Sequence, residues 1–242
     1  MGQLNEYLKG VKGIIFDYGG TLDTGGTHWS WVIREAWEKA GVAASLAEFR
    51  EAYVYAERDL ARTLHILPEH DFHDMLKIKI NIELQWLAEQ DRFPADQVGP
   101  KAEEIAAICN ESAAAHVAEA RPVLEKLALK YPMVLVSNFY GNIATVLQQY
   151  GIKDYFKKIV ESAVVGVRKP DPAIFSLGVK ALGLPAEECL VVGDSFGKDI
   201  QPALAAGCKA VWIKGPGWSG EEDAREYDYT IKNLLELEEI LG

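Results

Sequence analysis

The chain has little cysteine, little basic charge and no long apolar run, and each shortage removes a class of protein. Its three cysteines, Cys109, Cys189 and Cys208, lie far apart without a CxxC pair. A disulfide framework or a zinc site is therefore not expected, and buried reduced thiols in a cytoplasmic protein are. Lysine and arginine number 25 against 36 aspartates and glutamates, a formal net charge of -11. Without a basic excess, no nucleic acid and no anionic membrane is expected as a partner; a small local positive pocket stays compatible with that charge. No apolar stretch is long enough to span a bilayer, and the N-terminus, MGQLNEYLKGVKG, lacks the apolar core of a secretory signal. What is present, 49% hydrophobic and 25% charged residues over 242 positions, suits one large domain or a core domain carrying an insert.

Two sequence grammars alternate. "GIIF" at 13–16 reads as a buried strand. From about residue 28 to 119 the pattern turns helical, with "WSWVIREAWEKAG", "SLAEFREAYVYAERDLART", "FHDMLKIKINIELQWLAEQ" and "GPKAEEIAAICNESAAAHVAEA" predicting four or more amphipathic helices, punctuated by Pro68, Pro94 and Pro100. From Arg121 strand and helix alternate. "RPVLEKLALKY" predicts a short helix with Pro122 in its first turn, "MVLVSN" a strand, and "GNIATVLQQYG" a helix closed by Gly151. "KKIVESAVVG" holds a short strand, and "DPAIFSLGVKALG" a helix capped by Asp171. "CLVVGD" and "KAVWIK" are strands on either side of the helix "DIQPALAAG", and a last strand and helix close the chain. Such alternation implies a parallel sheet covered by helices on both faces. The expected architecture is a Rossmann-like α/β core, residues 1–22 and 116–242, with an α-helical cap inserted at 23–115. "GPGWSGEED" reads as a mobile surface loop.

In open parallel sheets ligands bind beyond the carboxyl ends of the strands, so the residues just after each strand matter most. They are Asp17; Ser137 and Asn138; Arg168, Lys169 and Pro170; and Gly193, Asp194 and Ser195, with Asp199 one helical turn on. Three acids, a hydroxyl and a lysine at one edge suit phosphoryl transfer. One carboxylate attacks phosphorus, another helps hold Mg²⁺, and the hydroxyl and ammonium neutralise charge on the transferred group.

In that order "FDYGGTLD", "VLVSN", "VRKPDP" and "VVGDSFGKD" resemble the four motifs of the haloacid dehalogenase superfamily, mainly Mg²⁺-dependent phosphatases, over about residues 11–235. The resemblance implies that Asp17 is nucleophile and metal ligand, that the Gly19 carbonyl and Asp194 complete the protein's metal ligands, and that Ser137 and Lys169 bind the phosphoryl oxygens. Asn138 falls beside them as a substrate-binding candidate. Thr21, Ser195 and Asp199 would support the nucleophile loop, the metal shell and the lysine. The departure is Gly19. Phosphatases of this superfamily usually carry an acid there, which protonates the leaving oxygen and then activates water. General acid–base help of this kind is worth roughly 10²–10⁴ in rate, and glycine cannot supply it.

The reading that follows is a hydrolase that attacks a small phosphorylated metabolite through Asp17 with the acid/base position vacant. Two alternatives stand beside it. One, implied by the resemblance through a phosphonate-cleaving branch with a small residue at this position, is cleavage of a carbon–phosphorus bond by a cap lysine that forms a Schiff base with an aldehyde substrate, for which Lys77 and Lys79 are the candidates; the other is a low-turnover phosphometabolite-binding regulatory module. Asp23 is the nearest spare acid, with a structural role as its default, and His28 is a weak candidate for a substitute acid. Trp29, Trp31, Trp37, Tyr53, Tyr55 and Trp86 are expected in the cap core, and Arg58, Arg62, His65, His70, His73 and Lys77 mostly in solvent.

Overall fold

Near-continuous apolar runs make the strands, because a parallel strand buried on both faces has no solvent side to mark with polar residues. In the computed structural model, which describes residues 2–241, they are β1 (Gly13–Phe16), β2 (Met133–Ser137), β3 (Lys158–Glu161), β4 (Cys189–Gly193), β5 (Lys209–Ile213) and β6 (Thr230–Ile231). They form one parallel sheet in the order β3-β2-β1-β4-β5-β6. Alternate residues feed opposite faces, as the two-residue period of a strand requires. Ile14 and Phe16 of β1, with Leu135, Leu190 and Val192, join one apolar cluster; Ile15, with Val134, Val136 and Val191, joins the other.

The helices are α1 (Gly2–Tyr7), α2 (Trp29–Lys39), α3 (Leu46–Leu60), α4 (Phe72–Glu89), α5 (Val98–Ala128), α6 (Ile143–Gln149), α7 (Ser162–Val165), α8 (Ala173–Leu182), α9 (Gln201–Ala205), α10 (Gly220–Asp223) and α11 (Leu234–Leu241). No helix among the described residues is long and apolar enough to cross a membrane. The cap is built from α2, α3, α4 and most of α5. Capping boxes start α3, between Ser45 and Glu48, and α4, between Asp71 and Asp74. Each satisfies two backbone donors that a helix start otherwise leaves open. The cap's apolar face is continuous with the sheet cluster that holds Ile14 and Phe16.

Three expectations need correction. The helix placed after Arg121 does not begin there: α5 runs unbroken from Val98 to Ala128 with Pro122 inside it. It is roughly 46 Å long at 1.5 Å per residue, passing from α2 and α4 in the cap to α11 beside the sheet. Pro122 removes one intrahelical donor, yet Val117, Ala120, Val123, Leu124 and Leu127 are buried on either side of it, and that packing holds the helix through the proline. The segment read as a mobile loop is docked. Trp31 Nε1 donates to the Gly217 carbonyl at 2.7 Å, Arg50 donates to that of Trp218 at 3.2 Å, and the Trp218 ring packs on His28 and Tyr53. Tyr55, expected inside the cap, is 42% exposed.

Where the chain enters the cap it crosses the loop after β5 at contact distance. A Cβ on Gly215 would lie 2.6 Å from the Gly26 carbonyl oxygen, and one on Gly26 would lie 3.0 Å from the Gly215 nitrogen. Gly26 also has φ +100°, a conformation that side chains disfavour. The next residues reinforce the crossing, His28 N–H donating to the Pro216 carbonyl at 2.9 Å.

Glu83 lies wholly buried in the cap, and neither carboxylate oxygen has a hydrogen-bond partner. Burial pushes its pKa up to about 8, against the pull of Lys79 and with a further push from Glu57. The unfolded chain loses this proton near the ordinary glutamate value while the folded chain keeps it. Folding therefore binds a proton between those pH values, and stability falls as pH rises from about 4.5 to 8. Glu83→Gln removes this term. Its melting temperature, relative to the parent chain, should rise steadily from pH 5 to pH 8; a pH-independent difference would mean that Glu83 folds ionised.

Candidate active site

Four strand ends bring the motif residues to one edge of the sheet. Asp17 follows β1, Ser137 ends β2, Lys169 sits in the loop beyond β3 and α7, and Asp194 follows β4. All four line one cavity of about 490 Å³, whose other side is lined by cap residues.

Lys169 is the electrostatic hub. Its ammonium lies 2.6 Å from Asp17 Oδ1 and 2.6 Å from Asp199 Oδ1. Burial opposes its charge, but the two carboxylates outweigh that and raise its pKa, so it stays protonated. Asn138 holds the lysine's backbone from both ends of its amide: Nδ2 donates to the Lys169 carbonyl at 3.0 Å, and Oδ1 accepts from the Lys169 N–H at 2.9 Å. With both ends so engaged, Asn138 is placed to position Lys169. Ser137 is 2% exposed and lines the cavity.

Carboxylate oxygens of Asp17, Asp194 and Asp199 lie within 4.8 Å of one another. One ammonium against three carboxyl groups leaves the cluster short of positive charge. Burial drives Asp194 well above the usual carboxylate range, and Asp199 and Asp17 add to the shift. Hard oxygen donors with surplus negative charge are the set that Mg²⁺ takes, so the residues present fit that ion. Thr21 Oγ1 donates to Asp194 Oδ1 at 3.1 Å, and the Ser195 N–H donates to Asp199 Oδ2 at 3.0 Å. Gly20 explains the second glycine of "FDYGGTLD". Its φ is +94°, and a Cβ there would strike the Asp194 carboxyl at 2.3 Å.

Beside Gly19 stands an indole. A Cβ added to Gly19 would meet Trp29 Cδ1 at 3.8 Å and Nε1 at 3.9 Å. The same Nε1 donates to Asp23 Oδ2 at 2.9 Å, and the Gly20 N–H donates to Asp23 Oδ1 at 2.7 Å. Asp23 is fully buried, and burial is the main cause that lifts its pKa to about 8. It does not line the cavity, which is the structural role taken as its default. His28 does line it. Its Nδ1 accepts from the Ser30 N–H at 3.2 Å, and burial lowers its pKa to about 3. It is a neutral ring capping α2, without a proton to give as an imidazolium.

Of the two cap lysines, Lys77 is half exposed and paired with Glu103 at 2.6 Å. Lys79 is buried, lines the cavity, and pairs with Glu57. Burial opposes its charge, but Glu57 holds its pKa well above the ordinary lysine value. Sequence reasoning missed Glu57, Tyr140, Trp29 and Glu222. A signal existed for the first: Lys79 and Glu83 follow Met75 at four-residue steps, placing charge in the buried stripe of α4, where a partner is required. Glu222 had none. It reaches from α10 to accept from Ser195 Oγ at 3.1 Å and the Phe196 N–H at 2.9 Å.

Comparison with known proteins gives the chain a family. A family model described as haloacid dehalogenase-like hydrolase matches residues 11–207, and the chain belongs to that family. It is 39% identical over 95 residues to a glyceraldehyde 3-phosphate phosphatase of Methanocaldococcus jannaschii, covering 39% of this chain and 42% of that one. To a phosphoglycolate phosphatase of Pectobacterium atrosepticum it is 36% identical over 113 residues, covering 46% and 48%. The chain thus spans less than half the length of these curated relatives. Among solved structures, the HAD-hydrolase YfnB of Bacillus subtilis, bound to magnesium, superposes with a TM-score of 0.59 at 19% identity, covering 96% of this chain and 99% of that one. At this identity the likeness concerns the fold.

Proposed function

We propose that the chain is a Mg²⁺-dependent hydrolase of small phosphorylated metabolites that works without an acid at residue 19. The observation that carries this reading is the convergence of Asp17, Ser137, Lys169 and Asp194 in one cavity. Lys169, 2.6 Å from Asp17 Oδ1, fixes the orientation of that carboxyl group, which suits a carboxylate nucleophile. Ser137 and Lys169 supply donors for the phosphoryl oxygens. Asp17, the Gly19 carbonyl and Asp194 would hold the metal, with Thr21, Ser195 and Asp199 fixing their orientation. Mg²⁺, when bound, neutralises charge on the phosphoryl group. The carbon–phosphorus alternative requires a neutral cap amine, and Lys79 is held as an ammonium. The low-turnover alternative keeps one supporting observation, the indole of Trp29 beside Gly19.

The test uses acetyl phosphate and p-nitrophenyl phosphate, whose leaving groups are already stable as anions. Turnover of both should require Mg²⁺. Asp194→Asn should weaken Mg²⁺ binding, read by calorimetry, by at least the roughly 10–100-fold that loss of an outer-shell partner costs. Equal Mg²⁺ affinity in the variant, or turnover indifferent to chelators, would overturn the metal assignment.

A further inference from the structure

The wall of the cavity opposite the sheet edge carries an ion pair with unused capacity. Lys79 and Glu57 are paired through Glu57 Oε1, and Tyr140, from the loop after β2, donates to that same oxygen at 2.9 Å. Lys79 Nζ also lies 4.2 Å above the Tyr53 ring. Among the described residues nothing donates to Glu57 Oε2, and the Glu57 side chain is 34% exposed, facing the cavity. Lys79 has three donors, and among the described residues its one side-chain hydrogen bond is to Glu57. Both partners are charged: burial works against the Glu57 carboxylate, but Lys79 and the Tyr140 hydroxyl hold its pKa below the ordinary value.

From this geometry we infer that Glu57 and Lys79 select the end of the substrate away from the phosphate, and that this end is a hydroxyl-bearing chain, as in a polyol or sugar phosphate. The inference rests on the phosphohydrolase reading for the phosphate end alone. A hydroxyl can donate to Glu57 Oε2 and accept from Lys79 Nζ at once, so it uses both members of the pair. Of the pair, a carboxylate could use only Lys79 and would face the Glu57 charge, with Lys198 the next cation on the cavity wall. An ammonium could use only Glu57 and would face Lys79. Each wrong group leaves one charge of the pair unanswered and adds a like-charge contact, which is how a polar site rejects analogues. Tyr140 joins the loop of Ser137 to the cap through Glu57, so the two ends of the substrate are read by segments that touch.

The test is calorimetric binding to the Asp17→Asn chain, which cannot form a phospho-enzyme. Three probes share the phosphate end: ribitol phosphate, its terminal carboxylic acid, and aminopentyl phosphate. Ribitol phosphate should bind at least about 10-fold tighter than either analogue, a difference of about 1.4 kcal/mol. Adding Glu57→Gln should cut its lead over the acid to below about 3-fold. Because Glu57→Gln leaves Lys79 buried without its partner, the double change Glu57→Met with Lys79→Met is the second variant; replacing both charges is often neutral for stability. It should abolish the preference. Equal binding of the three probes, or a preference unchanged in both variants, overturns the inference. Acetyl phosphate turnover by the unaltered chain tests the hydrolase reading separately. No turnover together with a retained ribitol preference would refute that reading while supporting the distal site.

Discussion

Asp17→Asn lowers turnover of acetyl phosphate and p-nitrophenyl phosphate by roughly 10³-fold or more, the scale expected when a covalent nucleophile is removed. In the parent chain a phosphoryl group should accumulate on Asp17. Attack needs only the carboxylate that Lys169 holds at 2.6 Å and a leaving group that departs without a proton. Release of the phosphoryl group needs an activated water, and no base is at hand: Gly19 has no side chain, Asp23 does not line the cavity, and burial lowers the basicity of His28, whose Nδ1 already caps α2. Acid quenching and peptide mass analysis should find the adduct on the peptide containing Asp17 and nowhere in Asp17→Asn. An adduct on another residue, or an Asp17→Asn chain as fast as its parent, would end the nucleophile assignment.

Gly19→Asp is the second large effect, and it goes upward. Rates on alkyl phosphates should rise by roughly 10²–10⁴, the usual worth of general acid–base catalysis, and the phospho-enzyme should stop accumulating. The position accepts a side chain: Gly19 is not among the residues with positive φ, and its Cβ would make ordinary contacts with Trp29 at 3.8 Å. For the parent chain, log rate across a series of esters should fall steeply with leaving-group pKa, and the slope should flatten in Gly19→Asp. A flat series in the parent, with no gain in the variant, would show that some other group delivers the proton, and the acid-deficient reading would be wrong.

Much of this site was legible before any coordinates, for a physical reason. Strands buried on both faces announce themselves as apolar runs, and the chemistry of a parallel sheet must sit just beyond them, so Asp17, Ser137 and Asp194 could be located by reading strand ends; Lys169, beyond the short α7 that follows β3, was located by its "VRKPDP" context. What escaped was set by contacts distant in sequence. Strand order leaves no trace in any one strand. Pro122 marks a helix start by local rules, but α5 is held through it by side chains buried against the cap and sheet. "GPGWSGEED" has a loop's composition, and the cap surface under Trp218, together with the bonds of Glu222 to Ser195 and Phe196, makes it ordered. α1 was too short and too weakly patterned to register. Lys79 was noticed as a lysine but not as a buried one, because its partners lie 22 residues back on α3 and, through Glu57, on a loop of the core.

The crossing of Gly26 and Gly215 has a consequence for how such a sequence can change. Each glycine is held by the backbone of the other, so neither position can drift while its partner stays. A side chain at one end cannot be accommodated by shrinking the other, since glycine is already the smallest residue. The pair therefore behaves as a single inherited character split between two distant codons. Variation in how the cap sits on the core must come from the side chains around the crossing, such as Trp31, Arg50 and Trp218, which can be exchanged one at a time.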